Sequence, residues 1–196
     1  MGESQKQGGI EKTILNKEEI KKLIVEKDLI KEYIDLETQL QTNGFDLTVR
    51  EVSNFNSRGS LDFSNKERIL PELRSHISFE TLHPRAEFWE LLQGCYSVEF
   101  NEVISLPLDL MAISIHRSSL MRCGVTTAIG CWDAGYQGRG RTLLIVSNPF
   151  GLKLYKNARL VQMTFHRLNP SDKGYQGSYQ REGIKNDANS INKEVK

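Results

Sequence analysis

Val125-Thr126-Thr127-Ala128-Ile129-Gly130-Cys131-Trp132-Asp133-Ala134-Gly135-Tyr136-Gln137-Gly138 is rich in β-branched and aromatic residues and runs into a carboxylate set among glycines. Its composition predicts a buried strand over 125–132 followed by a tight turn. β-Branched and aromatic side chains suit a pleated surface, and glycine opens turn conformations closed to other residues. The same glycines let backbone N–H groups and the Asp133 carboxylate come close to a small ligand. Standing alone, Asp133 reads as a hairpin residue that caps its own turn.

Outward from this stretch, segments 94–100, 103–106, 110–115, 142–146, 152–155 and 160–165 have the same character, punctuated by Pro107, Gly124, Pro149 and Gly151. Short strands with regular turns predict a mainly β protein, a sandwich or a barrel. Residues 45–55 alternate, with Phe45, Leu47 and Val49 on one face and Asp46 and Thr48 on the other, which by itself makes Asp46 an exposed strand carboxylate. Residues 56–90 read as a long excursion with a hairpin at its tip. Asn16 with Glu19 makes a capping box ahead of Ile20, Leu23 and Ile24, predicting a short helix to about Glu26. Residues 28–40 suit either a second helix or an extended arm. Residues 1–10 are expected to be disordered, 11–170 to form one domain, and 171–196, polar apart from Tyr175 and Tyr179, to form a flexible arm.

The chain has 196 residues, 38% hydrophobic and 26% charged, proportions that support one substantial soluble core. The first ten residues are polar and no apolar run reaches spanning length, so a cytoplasmic protein that makes no use of a membrane is expected. Cys95, Cys123 and Cys131 lack metal-ligand spacing and read as reduced thiols, and the histidines His76, His83, His116 and His166 form no zinc pattern. A net charge of +1 supplies no global field for nucleic acid, which leaves anion binding to local clusters. Arg117, Arg122, Arg139, Arg141, Arg159 and Arg167 gather in the second half as candidate phosphate ligands, beside the plainer reading of solvated surface charge.

Five segments taken in order carry a family likeness: Gly44-Phe45-Asp46-Leu47, His116-Arg117-Ser118-Ser119-Leu120-Met121-Arg122-Cys123-Gly124, Trp132-Asp133-Ala134-Gly135-Tyr136-Gln137-Gly138, Asn157-Ala158-Arg159-Leu160-Val161-Gln162 and Gly174-Tyr175-Gln176-Gly177-Ser178-Tyr179-Gln180. Over about residues 15–180 the chain resembles the dUTPase and dCTP deaminase superfamily. It looks most like the archaeal-type deoxyuridine triphosphate nucleotidohydrolases. The resemblance implies a distorted jelly-roll-like β-barrel (dUTPase-like, β-clip) with a short N-terminal helix, assembled as a homotrimer with active sites between subunits.

It also implies roles. Arg117, Ser118, Ser119, Arg122 and Gln162 would hold the triphosphate, Asp46 the water shell of a Mg2+ ion, and Asp133 the water that attacks phosphorus. Tyr136 would pack under the deoxyribose, and the backbone of Ala128, Ile129, Gly130 and Trp132 would read the uracil. Tyr175, Tyr179 and Gln180 would belong to an arm over a neighbouring subunit's site. The residue types suit this chemistry. A triphosphate calls for arginine forks, hydroxyls and a divalent cation, and a positioned carboxylate supplies ~10²–10⁴-fold as a general base. Plainer readings stand beside each: serines capping a helix from Leu120, Arg117 pairing a surface acid, Tyr136 as a half-buried hairpin aromatic.

The superfamily has two chemistries. Deaminating members carry a glutamate three residues before an asparagine on the strand after the turn; the matching residues here are Ile145 and Asn148. Isoleucine cannot move a proton, so the resemblance implies hydrolysis of dUTP to dUMP and pyrophosphate. The alternatives are dCTP deamination, alone or together with hydrolysis, and a non-catalytic deoxynucleotide-binding regulatory module. Two acids, Asp46 and Asp133, count against the last, because extra negative charge does not help to hold a triphosphate.

Overall fold

Helix α1 (Lys17–Lys27) opens on the expected capping box: the Asn16 side chain accepts from the Glu19 N–H at 2.9 Å and the Glu19 carboxylate accepts from the Asn16 N–H at 3.1 Å. Two otherwise orphaned donors are satisfied, and Glu18 and Glu19 face the positive end of the helix dipole. Ile20 and Ile24 bury the inner face. The computed structural model describes residues 13–169 and 173–184; residues 1–10, expected to be disordered, lie outside them. Residues 28–40 form neither a second full helix nor an extended arm. They make β1 (Ile30–Lys31) and α2 (Leu36–Gln39), and lead into β2 (Leu40–Gln41).

The remaining elements are β3 (Gly44–Phe55), β4 (Leu73–Ser75), β5 (Phe79–Leu82), β6 (Arg85–Leu91), β7 (Gly94–Phe100), β8 (Val103–Ser105), β9 (Leu110–His116), α3 (Ser118–Arg122), β10 (Val125–Thr127), β11 (Gly130–Trp132), β12 (Gln137–Gly138), β13 (Arg141–Val146), β14 (Leu152–Tyr155) and β15 (Arg159–Arg167). The main sheet runs β10-β13-β7-β3-β15-β9-β11, with β2 and β4 also on β3. Laid flat, its outer strands would stand ~29 Å apart. Yet β10 and β11 are joined only by Ala128 and Ile129, a link that reaches ~11 Å at full extension. The sheet must therefore curl until its edge strands come within that reach, which makes the mainly β, barrel-like architecture.

That closure corrects the reading of 125–132 as one strand. β10 pairs with β13 and β11 with β9, so the chain crosses from one edge of the sheet to the other at Ala128–Ile129, where Ile129 is 69% exposed. Nor is the Asp133 turn a hairpin, because β12 pairs with β8 in a separate three-stranded sheet, β1-β8-β12. The excursion does carry its hairpin, β5–β6, extended by β14.

β3 is the centre of the sheet, and both of its faces are covered. Phe45, Leu47 and Val49 enter the core, joined there by Phe100 and Phe165, each burial contributing ~1.5–3 kcal/mol. The opposite face is closed as well: Asp46 and Thr48 are each 1% exposed, so Asp46 is a buried and not an exposed strand carboxylate. Glu102, fully buried, accepts from the Thr48 N–H (2.9 Å), the Thr48 hydroxyl (2.6 Å) and the Gln39 amide (2.7 Å). Gln39 also donates to the Asp46 carbonyl at 2.8 Å. This network ties α2 to the middle of β3 where Asp46 sits.

Candidate active site

One cluster surrounds Asp46. Its Oδ2 receives Arg117 Nε at 3.0 Å and Arg159 Nη1 at 3.2 Å. Arg117 follows the last residue of β9 and is held by its N–H to the Leu160 carbonyl at 3.0 Å. Arg159 begins β15, whose register shifts between Arg159 and Val161; the bulge turns the Arg159 side chain back towards Asp46, where Nη1 also donates to the Thr38 carbonyl at 2.9 Å. Gln162 lies directly opposite Asp46 in the ladder and so shares its face. Burial pushes the Asp46 carboxyl above its ordinary value, and the two guanidiniums pull it back. Ser118 and Ser119 are exposed in the first turn of α3, where Arg117 is the N-cap residue and no side chain caps the helix. The plainer reading of serines capping a helix from Leu120 therefore fails. Arg122, also exposed, reaches the Ser118 carbonyl at 3.5 Å. Arg117, Arg159 and Gln162 thus gather on the Asp46 face, with the exposed Ser118, Ser119 and Arg122 in the short helix that follows Arg117, residue types suited to phosphate oxygens.

A second cluster surrounds Asp133. The Tyr136 N–H donates to the Asp133 carbonyl at 3.1 Å, with Gly135 at φ +79°, a turn that requires a left-handed residue at its third position. The Asp133 side chain is exposed and, among the described residues, has no hydrogen-bond or ion-pair partner, so it does not cap its own turn. Beside it lies a cavity of about 230 Å³ walled by Ser114, Trp132, Tyr136, Arg141 and Thr142. Trp132 is fixed by its indole N–H to the Ser114 hydroxyl at 3.1 Å and packs against Tyr136 at 5.3 Å, edge to face. Burial, and then the nearby Glu182 charge, push the Tyr136 hydroxyl well above its ordinary value, so it stays protonated. Gly130 and Trp132 belong to β11 at the sheet edge, while Ala128 and Ile129 are the exposed link.

The described part of the arm, 173–184, lies on its own chain's turn. Tyr175 N–H donates to the Ala134 carbonyl (2.8 Å), and Gln180 both accepts from the Gln137 N–H (2.8 Å) and donates to the Gly135 carbonyl (2.9 Å). Gly135 and Gly174 meet face to face: a Cβ on Gly135 would stand 2.6 Å from the Gly174 Cα. Tyr175, Tyr179 and Glu182 thereby line the cavity.

Three of the arginines grouped in the sequence are paired within the fold. Arg139 is buried and donates to the Phe100 and Asn101 carbonyls and to Glu32, and Arg141 Nη2 pairs with Glu99 at 2.5 Å. Arg167 pairs with Glu19 at 3.0 Å. Among the described residues no group of three or more His, Cys, Asp or Glu is arranged to hold a metal ion. With Asp46 Oδ2 already engaged by two guanidiniums, the residues present do not make a resident metal centre.

The two clusters stand at opposite ends of β9. Trp132 pairs with Ala112, placing Asp133 beside Met111, whereas Arg117 lies beyond His116. Six residues of strand separate those levels by ~20 Å. Sequence reading missed Glu182, Arg141 and Ser114 as cavity residues and Arg159 as a partner of Asp46. Arg159 stood in a quoted motif and so had a signal, while Glu182 stands in a polar tail and had none.

Comparison with known proteins identifies the family. The dCTP deaminase-like family pattern matches residues 14–168. A probable deoxyuridine 5'-triphosphate nucleotidohydrolase of Archaeoglobus fulgidus is 43% identical over 171 residues, covering 87% of this chain and 98% of the relative. Its counterpart in Methanosarcina acetivorans is 41% identical over 175 residues, covering 88% and 99%. The deoxyuridine 5'-triphosphate nucleotidohydrolase of Methanocaldococcus jannaschii is 34% identical over 143 residues, covering 73% and 88%. Among solved structures, the 2'-deoxycytidine 5'-triphosphate deaminase of Agrobacterium tumefaciens superposes with a TM-score of 0.54 at 20% identity, over 79% of this chain and 48% of that one, a likeness of fold.

Proposed function

We propose that this chain, which belongs to the dCTP deaminase-like family, hydrolyses dUTP to dUMP and pyrophosphate with Asp133 as the general base. The observation that carries the reading is the unpartnered Asp133 carboxylate at a cavity walled by Trp132 and Tyr136, in a chain 43% identical to a probable dUTP nucleotidohydrolase. Asp133 takes a proton from water, the water oxygen attacks the α-phosphorus, and pyrophosphate leaves. Tyr136 packs under the deoxyribose. Arg117, Ser118, Ser119, Arg122 and Gln162 receive the phosphate oxygens, joined by Arg159.

Magnesium enters as part of the substrate, Mg·dUTP, sharing the triphosphate charge. Asp46 is the carboxylate nearest the phosphate face and would meet that ion only through water. Its structural task is to hold Arg117 and Arg159.

A general base must stand within ~2.6–3.2 Å of the proton it takes. Asp133 and Arg117, ~20 Å apart along one chain, therefore serve one nucleotide only if they come from different copies, which supports sites between subunits, as in the homotrimer that the resemblance implies. Co-expression tests this directly. Asp133→Asn and Arg117→Ala chains, each impaired alone, regain turnover when mixed, because some interfaces then join an intact Asp133 to an intact Arg117. Mixed oligomers that stay as slow as their parents would break the reading.

β13 carries no acid between Arg141 and Val146, and by the resemblance Ile145 matches the position of the deaminating members' glutamate. Incubation with dCTP is expected to release no ammonia, and ammonia in that assay would reverse the choice of chemistry.

A further inference from the structure

The excursion reaches the arm through Arg68. The tip of the excursion closes where Ser60 and Ile69 exchange N–H···O bonds at 2.9 and 3.0 Å. Inside that closure the Asp62 carboxylate accepts from the N–H groups of Ser64 (3.0 Å), Lys66 (3.3 Å) and Glu67 (3.1 Å). Leu61 and Phe63 face solvent, so hydrogen bonds and not a core of its own order this loop. What they fix in place is Arg68, half-buried at the loop's end. Its Nη2 donates to the Ser178 hydroxyl at 2.6 Å, and its guanidinium lies 5.8 Å from the centroid of the Tyr179 ring, within cation–π range. Ser178 and Tyr179 belong to the stretch of arm between its two attachments to the Asp133 turn, Tyr175 at one side and Gln180 with Arg181 at the other. Tyr179, still 38% exposed, is a wall of the Asp133 cavity. Burial alone does not hold so open a side chain still.

We propose that Arg68 is a positioning residue for the Asp133 cavity, gripping Ser178 and Tyr179 so that the docked arm stands as a wall against which the nucleotide is bound. For the identity of that nucleotide this rests on the dUTP reading. Arginine suits the task because a planar guanidinium can lie over a ring while an N–H at its edge reaches a hydroxyl, two contacts that a lysine ammonium does not make at once. An arm tied down by exposed bonds opens at small cost, so the share of chains with the arm docked follows the strength of these contacts. Apparent affinity falls with that share, because a nucleotide that needs the wall binds only to chains that have it. One hydrogen bond and one cation–π contact at an exposed site together shift that equilibrium ~10-fold.

Hydrogen exchange of the full chain, at the Tyr175 and Arg181 amides that bond to the turn, reads arm opening with no ligand present. Arg68→Ala is expected to quicken it ~10-fold. In a chain already carrying Ser178→Ala and Tyr179→Leu, the same substitution is expected to change exchange by less than ~2-fold. An equal effect in both backgrounds overturns the inference, since Arg68 would then act by another route. Affinity for a non-hydrolysable dUTP analogue with Mg2+ is expected to fall ~3–10-fold in Arg68→Ala. KM for dUTP is expected to rise by the same factor with kcat kept within ~2-fold, because the wall holds nucleotide and transition state alike. Thermal unfolding of each variant confirms that it is folded. Unaltered exchange, or faster exchange with unaltered affinity, overturns the inference even if dUTP is hydrolysed. Weaker analogue binding in Arg68→Ala, in a protein that releases no pyrophosphate from dUTP, sustains it and defeats the hydrolase reading.

Discussion

The two ends of β9 handle charge in opposite ways. At the Arg117 end the Asp46 carboxylate is buried and answered by two guanidiniums, which it holds in place. At the Asp133 end the carboxylate is exposed and answered by nothing among the described residues. The difference separates two requirements of catalysis. A binding surface gains from charges already neutralised and held still, because a phosphate then meets donors that need no reorganisation. A general base is useful only if its lone pairs are available.

The sharpest way to break this contrast is Asp133→Asn, expected to lower pyrophosphate release by ~10²–10⁴-fold while binding of a non-hydrolysable dUTP analogue is kept. Undiminished turnover would remove the catalytic half. In urea unfolding the order reverses. Arg117→Ala leaves a buried carboxylate with one guanidinium, and is expected to lower stability by up to ~3 kcal/mol, whereas Asp133→Asn changes it by less than ~0.5 kcal/mol. Equal effects would mean the ends do not differ. Gly135→Ala is expected to cost ~1–2 kcal/mol through its left-handed backbone. Gly174→Ala has no such strain and is expected to free the arm alone, read as faster hydrogen exchange at Tyr175 and Arg181.

The smallest effect is a slope. Burial raises the Glu102 carboxyl, opposed by its bonds to Thr48 and Gln39. Above its unfolded value of about 4.5 the folded chain holds this proton more tightly than the unfolded one, so its contribution is greatest at low pH and is lost as pH rises through the raised value. Glu102→Gln is expected to flatten that part of the stability profile, and an unaltered slope would exclude Glu102 as its source.

Much of this was legible because it is local. The capping box at Asn16 and the alternation of residues 45–49 depend on neighbours a few positions away, and α1 and β3 stand where they predict. The break at Ala128–Ile129 was illegible for the opposite reason, since nothing in Val125–Trp132 announces that its two halves pair with β13 and β9. Asp46 shows the same limit. Its place on the face opposite Phe45 was readable, but its burial follows from α2, Arg117 and Arg159 closing over it. Glu182 gave no sign at all, because a glutamate in a polar tail looks the same whether it meets solvent or a cavity.

The position of Asp46 also bears on how the chain is made. β3 is synthesised early, yet its sheet partners β7 and β15, and both cations that answer Asp46, come later, Arg159 last of all. Until synthesis has passed Arg159, a nascent chain can supply only Arg117 to the acid in its central strand. Fragments ending before β15 are expected to remain unfolded and open to proteolysis.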